Sequence, residues 1–137
     1  MTATDRTSGP SSSLARTAWL AARAAAVLTL AALVLIFGTA GVLVSRGSAL
    51  DLHGAGAIVL HVGFGLLTVA LAVAAWGRVG SWVAAGASAV VFALSFYQAW
   101  LGSQGDIPLH VPGAFVMTAA GVGLAAYTVR RPATAPR

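Results

Sequence analysis

The chain has no cysteine. That excludes disulfides, iron–sulfur ligation and thiolate zinc sites, and leaves histidine as the side chain able to hold a metal. Acids are nearly as scarce: Asp5, Asp51 and Asp106 are the three. General acid–base work would therefore fall to the histidines. Charged residues of both signs make up 8%, against about 25% in a soluble domain. Such a chain cannot cover a water-facing surface, and it belongs in lipid. No HExxH, GxSxG, P-loop or CxxC is present. The midplane acid or broken repeat helix of a proton-coupled transporter is missing too. Period-2 alternation over segments of about ten residues does not occur, which excludes a transmembrane β-barrel.

Present instead are apolar residues, 58% of the 137. They fall into four runs joined by short polar turns. Residues 1–18 are rich in Ser and Thr, broken by Gly9-Pro10, and read as a disordered tail. Arg16 and Arg23 then introduce an apolar run that also resembles a signal peptide with a small-residue site at Gly38-Thr39-Ala40. The run continues past that site to Val44, so it reads as a retained span over 20–44. Further spans are expected over 52–76, 82–101 and 107–129, with Asp51 positioned to cap the second. Residues 131–137 form a second tail. The fold class is all-α: an integral membrane four-helix bundle, antiparallel and up-down-up-down, over 19–130. Trp19, Trp76, Trp82 and Trp100 lie near the span ends, as an interfacial aromatic belt requires.

The net charge of +5 raises nucleic acid or an anionic membrane as partners. The arginines flank spans and form no continuous basic face, which leaves the lipid bilayer and excludes nucleic acid. Arg6, Arg16, Arg23, Arg78, Arg130, Arg131 and Arg137 fall on one side and Arg46 alone on the other. That split places both termini in the cytoplasm and the chain in the plasma (inner) membrane.

The stretch LHGAGAIVLHVGFGLLTVALAVAAW, residues 52–76, carries His53 and His61 as its ionisable groups. Such groups within a span are functional by default. At ~1.5 Å per residue, His61 lies ~22 Å above Trp76, Gln98 ~24 Å above Trp82 and His110 ~25 Å above Tyr127. The three share one layer, toward the outer leaflet, while His53 comes out ~34 Å up, at the outer interface. His61 shares a face with Gly54, Ala57, Gly65, Thr68 and Ala72, Gln98 with Ala84, Ser88, Val91, Ser95 and Gly102, and His110 with Gly113, Ala114, Met117 and Gly121; these mostly small or polar stripes are expected to point inward. Two inward histidines on alternate helices fit bis-His ligation of a b-type haem, with His61 and His110 as the metal ligands. Gly65 and Gly113 would give the macrocycle room. Arg46 would pair with its propionates, and Gln98 would tune a ligand imidazole or the haem edge. The plainer readings stand beside this one. His110, just before Pro112, also reads as a helix-start histidine. His61 also reads as a core histidine bonded across helices, and His53 as an interfacial residue.

YQAWLG (97–102), followed by LHVPGAF (109–115), resembles the haem A synthase pattern. There a Gln-x-x-Leu-Gly signature ends one helix and a histidine opens the next. Each four-helix half of that family carries its histidine pair on its second and fourth helices, which here implies His61 or His53 with His110. The likeness spans roughly residues 40–125. The chain also resembles small four-span bacterial membrane proteins with a histidine near the start of helices two and four. It departs from the synthase in having one four-helix unit where the family has two. It also shows Asp51-Leu52-His53 where the family has Glu-x-x-His. The resemblance thus implies a haem-binding half-bundle, engaged in electron transfer or haem handling, and not the synthase activity. Two competing readings remain: a cofactor-free accessory subunit of a membrane complex, acting through its small-residue faces on another membrane protein, and a quinone- or lipid-binding protein using Asp51, His53 and Gln98.

Overall fold

A computed structural model describes residues 12–132. Four helices account for nearly all of them: α1 (Ser12–Arg46), α2 (Leu50–Trp76), α3 (Trp82–Ser103) and α4 (Ile107–Arg130). Each is long and apolar enough to cross a membrane. Backbone packing joins α1 to α2, α2 to α3, α3 to α4 and α4 back to α1, with no diagonal pair in contact. Short turns between antiparallel neighbours enforce this square. One end carries the start of α1, the α2–α3 turn and the end of α4, and is called here the terminus end. The α1–α2 and α3–α4 turns lie together at the two-turn end.

Local chemistry sets the helix limits. Ser81, extended at φ −127°, accepts from the Val83 N–H at 3.2 Å and starts α3. Asp106 Oδ1 does the same for Leu109 at the start of α4. The expected Asp51 cap does not form. Ala49, at φ 75°, holds the cap position without a side-chain bond, and Asp51 stands in the first turn, where its charge meets the positive end of the helix. α4 runs through Pro112, beyond its first turn.

The first helix is longer than its apolar run. It begins at Ser12, so the tail expected through residue 18 is helical from there; residues 1–11 and 133–137 lie outside the described part. Its 35 residues span about 52 Å at ~1.5 Å each, against a ~30 Å hydrocarbon core. The extra turns are held by tertiary contacts. Ala15, Ala18, Trp19, Ala22, Ala26, Thr29 and Leu33 form one buried stripe at helical spacing. Trp19 is fully buried, edge-on to Tyr127 at 5.6 Å, and so is a core residue rather than part of the belt. Trp76, Trp82 and Trp100 are exposed, as a belt requires. Arg23 reaches across to the last turn of α4, where its Nε and Nη2 donate to the carbonyls of Thr128 (2.9 Å) and Arg131 (2.7 Å). These are carbonyls that a helix end leaves without an internal partner.

A histidine-lined cavity

The two halves of the bundle differ in filling. From the middle level to the terminus end, Trp19, Thr29, Phe64, Leu67, Leu71, Ser88 and Thr128 are fully buried. Toward the two-turn end, all four helices surround a cavity of about 450 Å³. On α1 it runs from Leu33 to Val44, about 16 Å along the axis. Every helix contributes short side chains to this lining, among them Ala40, Gly54, Ala57, Ala99, Gly102 and Ala114. Facing helices that offer short side chains leave space instead of contacts.

All three histidines and Gln98 line this one space, together with Ser95 and Met117. His61 and His110 are on its wall, as expected from their depth. His53 Nδ1 lies 3.1 Å from Thr39 Oγ1, seven residues before the end of α1, and the residue joins the lining.

The hydrogen bonds settle how each imidazole is turned. His61 Nδ1 lies 2.7 Å from Ser95 Oγ, and that hydroxyl donates its single proton to the Phe92 carbonyl at 2.6 Å. With that proton on the carbonyl, Oγ is placed to accept from His61 Nδ1. His110 Nδ1 lies 2.9 Å from the Gln98 carbonyl oxygen, which can only accept. His53 Nδ1 lies 3.1 Å from Thr39 Oγ1, whose proton goes to the Leu35 and Ile36 carbonyls. An imidazole that is neutral and donates from Nδ1 keeps a lone pair on Nε2. A hydrogen bond at one ring nitrogen sets which form the other takes. His61 is further held by stacking on Phe96, with centroids 4.4 Å apart and 12° between planes.

Both His61 and His110 are anchored to α3, through residues 95 and 98. Three residues of helix correspond to about 4.5 Å of rise. His61 bonds across to Ser95 of α3, as the core-histidine reading expected, and His110 stands in the first turn of α4, as the helix-start reading expected, with its ring on the Gln98 backbone carbonyl.

Several expected neighbours serve other ends. A Cβ at Gly65 would meet the Phe92 ring at 3.3 Å, so that glycine makes room for an aromatic side chain. A Cβ at Gly113 would collide with the Gln98 carboxamide, which occupies the space beside it. Neither glycine lines the cavity. Arg46 ends α1 exposed and outside the lining, two residues beyond Val44 at the rim. Gln98 is in place, and its Oε1 is buried without a hydrogen-bond partner. Three residues have roles that the sequence reading did not assign. Ser95 and Thr39 are ring anchors, and Gly102 lies where a Cβ would come within 3.0 Å of His110 Cε1. Ser95 and Gly102 share a helical face with Gln98, which was the available signal; nothing in the sequence marked Thr39.

No group of three His, Cys, Asp or Glu side chains among the described residues converges as a metal site, so a metal here would rest on fewer protein ligands. No family model, curated protein or solved structure matches the chain.

Proposed function

We propose that this is a cofactor-binding protein of the plasma membrane that holds one b-type haem in the cavity, with His61 and His110 as axial ligands. The observation that carries the reading is the orientation of the two rings. Both line one space, and both keep Nε2 free because α3 accepts their Nδ1–H. A neutral imidazole with its second nitrogen hydrogen-bonded is the form that ligates iron, and the outer bond raises its basicity. The donor set fits the group in kind: two nitrogen lone pairs in a mostly apolar setting, with a volume inside the ~300–1,000 Å³ of cofactor sites. The likeness of YQAWLG and LHVPGAF to the haem A synthase pattern points the same way.

A haem so held would supply one-electron transfer. The chain's own part is to hold the ligand nitrogens, exclude water and keep the site close to neutral. The lining has no cation. Propionates would therefore have to reach water at the two-turn end, where Arg46 closes α1. The arginine distribution favours that end outside and both termini in the cytoplasm, and in that orientation the cavity belongs to the outer-leaflet half. The test is the visible spectrum of protein purified in detergent after expression with haem supplied. A low-spin spectrum that changes on reduction is the expected result. A colourless preparation overturns the proposal, and a stoichiometric membrane partner found with it would favour an accessory subunit.

A further inference from the structure

The four seams between neighbouring helices are not closed alike around the cavity. Between α1 and α2, Ile36 packs where a Cβ at Gly56 would come within 2.9 Å, and Thr39 Oγ1 lies 3.1 Å from His53 Nδ1. Between α2 and α3, His61 Nδ1 lies 2.7 Å from Ser95 Oγ, and its ring stacks on Phe96. Between α3 and α4, the Gln98 carboxamide takes the space beside Gly113, and His110 Nδ1 meets the Gln98 backbone carbonyl at 2.9 Å. The α1–α4 seam is different. It joins the first helix to the last, so no turn ties its two sides together. Among the described residues, the hydrogen bonds that cross it lie at the terminus end, where Arg23 donates to carbonyls at the end of α4. At the floor of the cavity Leu33 still fits closely, 3.2 Å from where a Cβ at Gly121 would stand. Beyond it, toward the two-turn end, the two sides meet through Phe37 and Phe115, with ring centroids 5.9 Å apart.

This ring pair separates the cavity from the membrane. Phe37 is on the lining, and Phe115, which it touches, is 62% exposed on the outside of the bundle. Val44 of α1 and Val111 of α4 also line the cavity while being exposed. Phe37 lies about 13 Å before the end of α1, inside a ~30 Å hydrocarbon core, so acyl chains stand outside it. The described lining has no Asp, Glu, Lys or Arg. A charged molecule would find no counter-ion there, whereas a neutral, lipid-soluble one loses little by entering.

We infer that the α1–α4 seam is the entrance to the cavity, and that lipid-soluble ligands reach the histidines sideways from the membrane by parting Phe37 from Phe115. Two apolar rings separate without leaving a polar group unmatched. Opening any of the other three seams breaks a hydrogen bond to a histidine. The inference concerns entry alone. It does not rest on the haem reading, since any occupant dissolved in the membrane faces the same wall.

Because the chain has no cysteine, a single introduced thiol reports entry without background. Met117→Cys places it on the lining at a position only 5% exposed. The variant in lipid nanodiscs is treated with N-phenylmaleimide, which dissolves in the membrane, and separately with a sulfonated maleimide, which does not. Mass spectrometry follows the labelling rates. The membrane-soluble reagent is expected to react faster. Adding Phe115→Ala should speed it by roughly two- to tenfold, the weight of one aromatic pair in a local opening equilibrium. Phe115→Leu, which keeps apolar bulk without the ring, should give part of that gain and covers the case in which alanine unfolds the bundle. Ile58→Ala, which trims an exposed lining residue on α2, should leave the rate unchanged. No labelling by the membrane-soluble reagent, faster labelling by the sulfonated one, a rate unmoved in both Phe115 variants, or equal acceleration by Ile58→Ala would each overturn the inference. A colourless protein that still shows the acceleration would remove the haem proposal and leave this one standing.

Discussion

The terminus half and the two-turn half of this bundle are built from the same kinds of residue, yet one is filled and the other hollow. In the filled half, polar groups close on themselves. Thr29 donates to the Ala25 carbonyl, Thr128 to that of Ala125, and Thr68 to that of Phe64, with the Thr68 and Ser88 hydroxyls hydrogen-bonded at 2.9 Å. Phe64 reaches toward the diagonal helix, where a Cβ at Gly121 would touch its ring at 3.4 Å. Nothing there is left to recognise a ligand, Trp19 Nε1 being the exception as a buried donor without a partner. In the hollow half the hydroxyls are equally committed, but their role is to orient imidazoles whose far nitrogens stay unmatched. The difference teaches that histidine's second nitrogen, more than polarity as such, separates a structural layer from a binding one. A hydroxyl in a helix can return its proton to its own backbone. An imidazole anchored at one nitrogen still presents the other.

The comparison can be broken most directly at the ligands. His61→Ala and His110→Ala are each expected to abolish the haem spectrum altogether while leaving a folded, membrane-inserted protein. Retention of the spectrum in either variant would separate that ring from the iron. Phe64→Ala, in the filled half, is expected to cost about 3 kcal/mol by leaving a void among packed helices. Ala57→Leu, which builds into the hollow half, should change stability by under about 1 kcal/mol while blocking the ligand. Thermal unfolding in detergent would compare the two, and an equal loss would mean that the cavity is no looser than the core.

A smaller effect is expected from the anchor. Ser95→Ala removes the acceptor for His61 Nδ1–H and should weaken cofactor affinity by roughly 10–100-fold, as loss of such an outer hydrogen bond does. Unchanged affinity would show that stacking on Phe96 alone orients the ring. The smallest is Ala49→Gly in the α1–α2 turn. Ala49 holds φ 75°, a conformation that costs a side-chain-bearing residue about 1 kcal/mol. Glycine should raise the unfolding temperature slightly and leave ligand binding untouched.

How much of this was legible beforehand depended on the kind of signal. Residue spacing put His61, Gln98 and His110 at one depth, because helical rise is nearly constant and span ends are marked by turns. The same arithmetic set His53 nearer the end of the bundle, and it could not show that the ring meets Thr39 of α1 and joins the cavity lining. The roles of Gly65 and Gly113 were misread for a related reason. A glycine announces that space is needed, and only the neighbouring helix shows that Phe92 and Gln98 take it. The start of α1 was misjudged because Ser- and Thr-rich composition opposes a helix locally, whereas a buried stripe against the rest of the bundle holds one there.

The sequence by itself determined a four-helix bundle long and apolar enough to cross a membrane, and which of its polar residues lie within the spans. Hydrophobic length and the scarcity of charge leave a chain in lipid no other way to satisfy its backbone. The tertiary structure alone decided that the two-turn half is hollow, and that all three imidazoles share its lining. Both depend on which side chains meet between helices, and those partners are known only when the helices are in place.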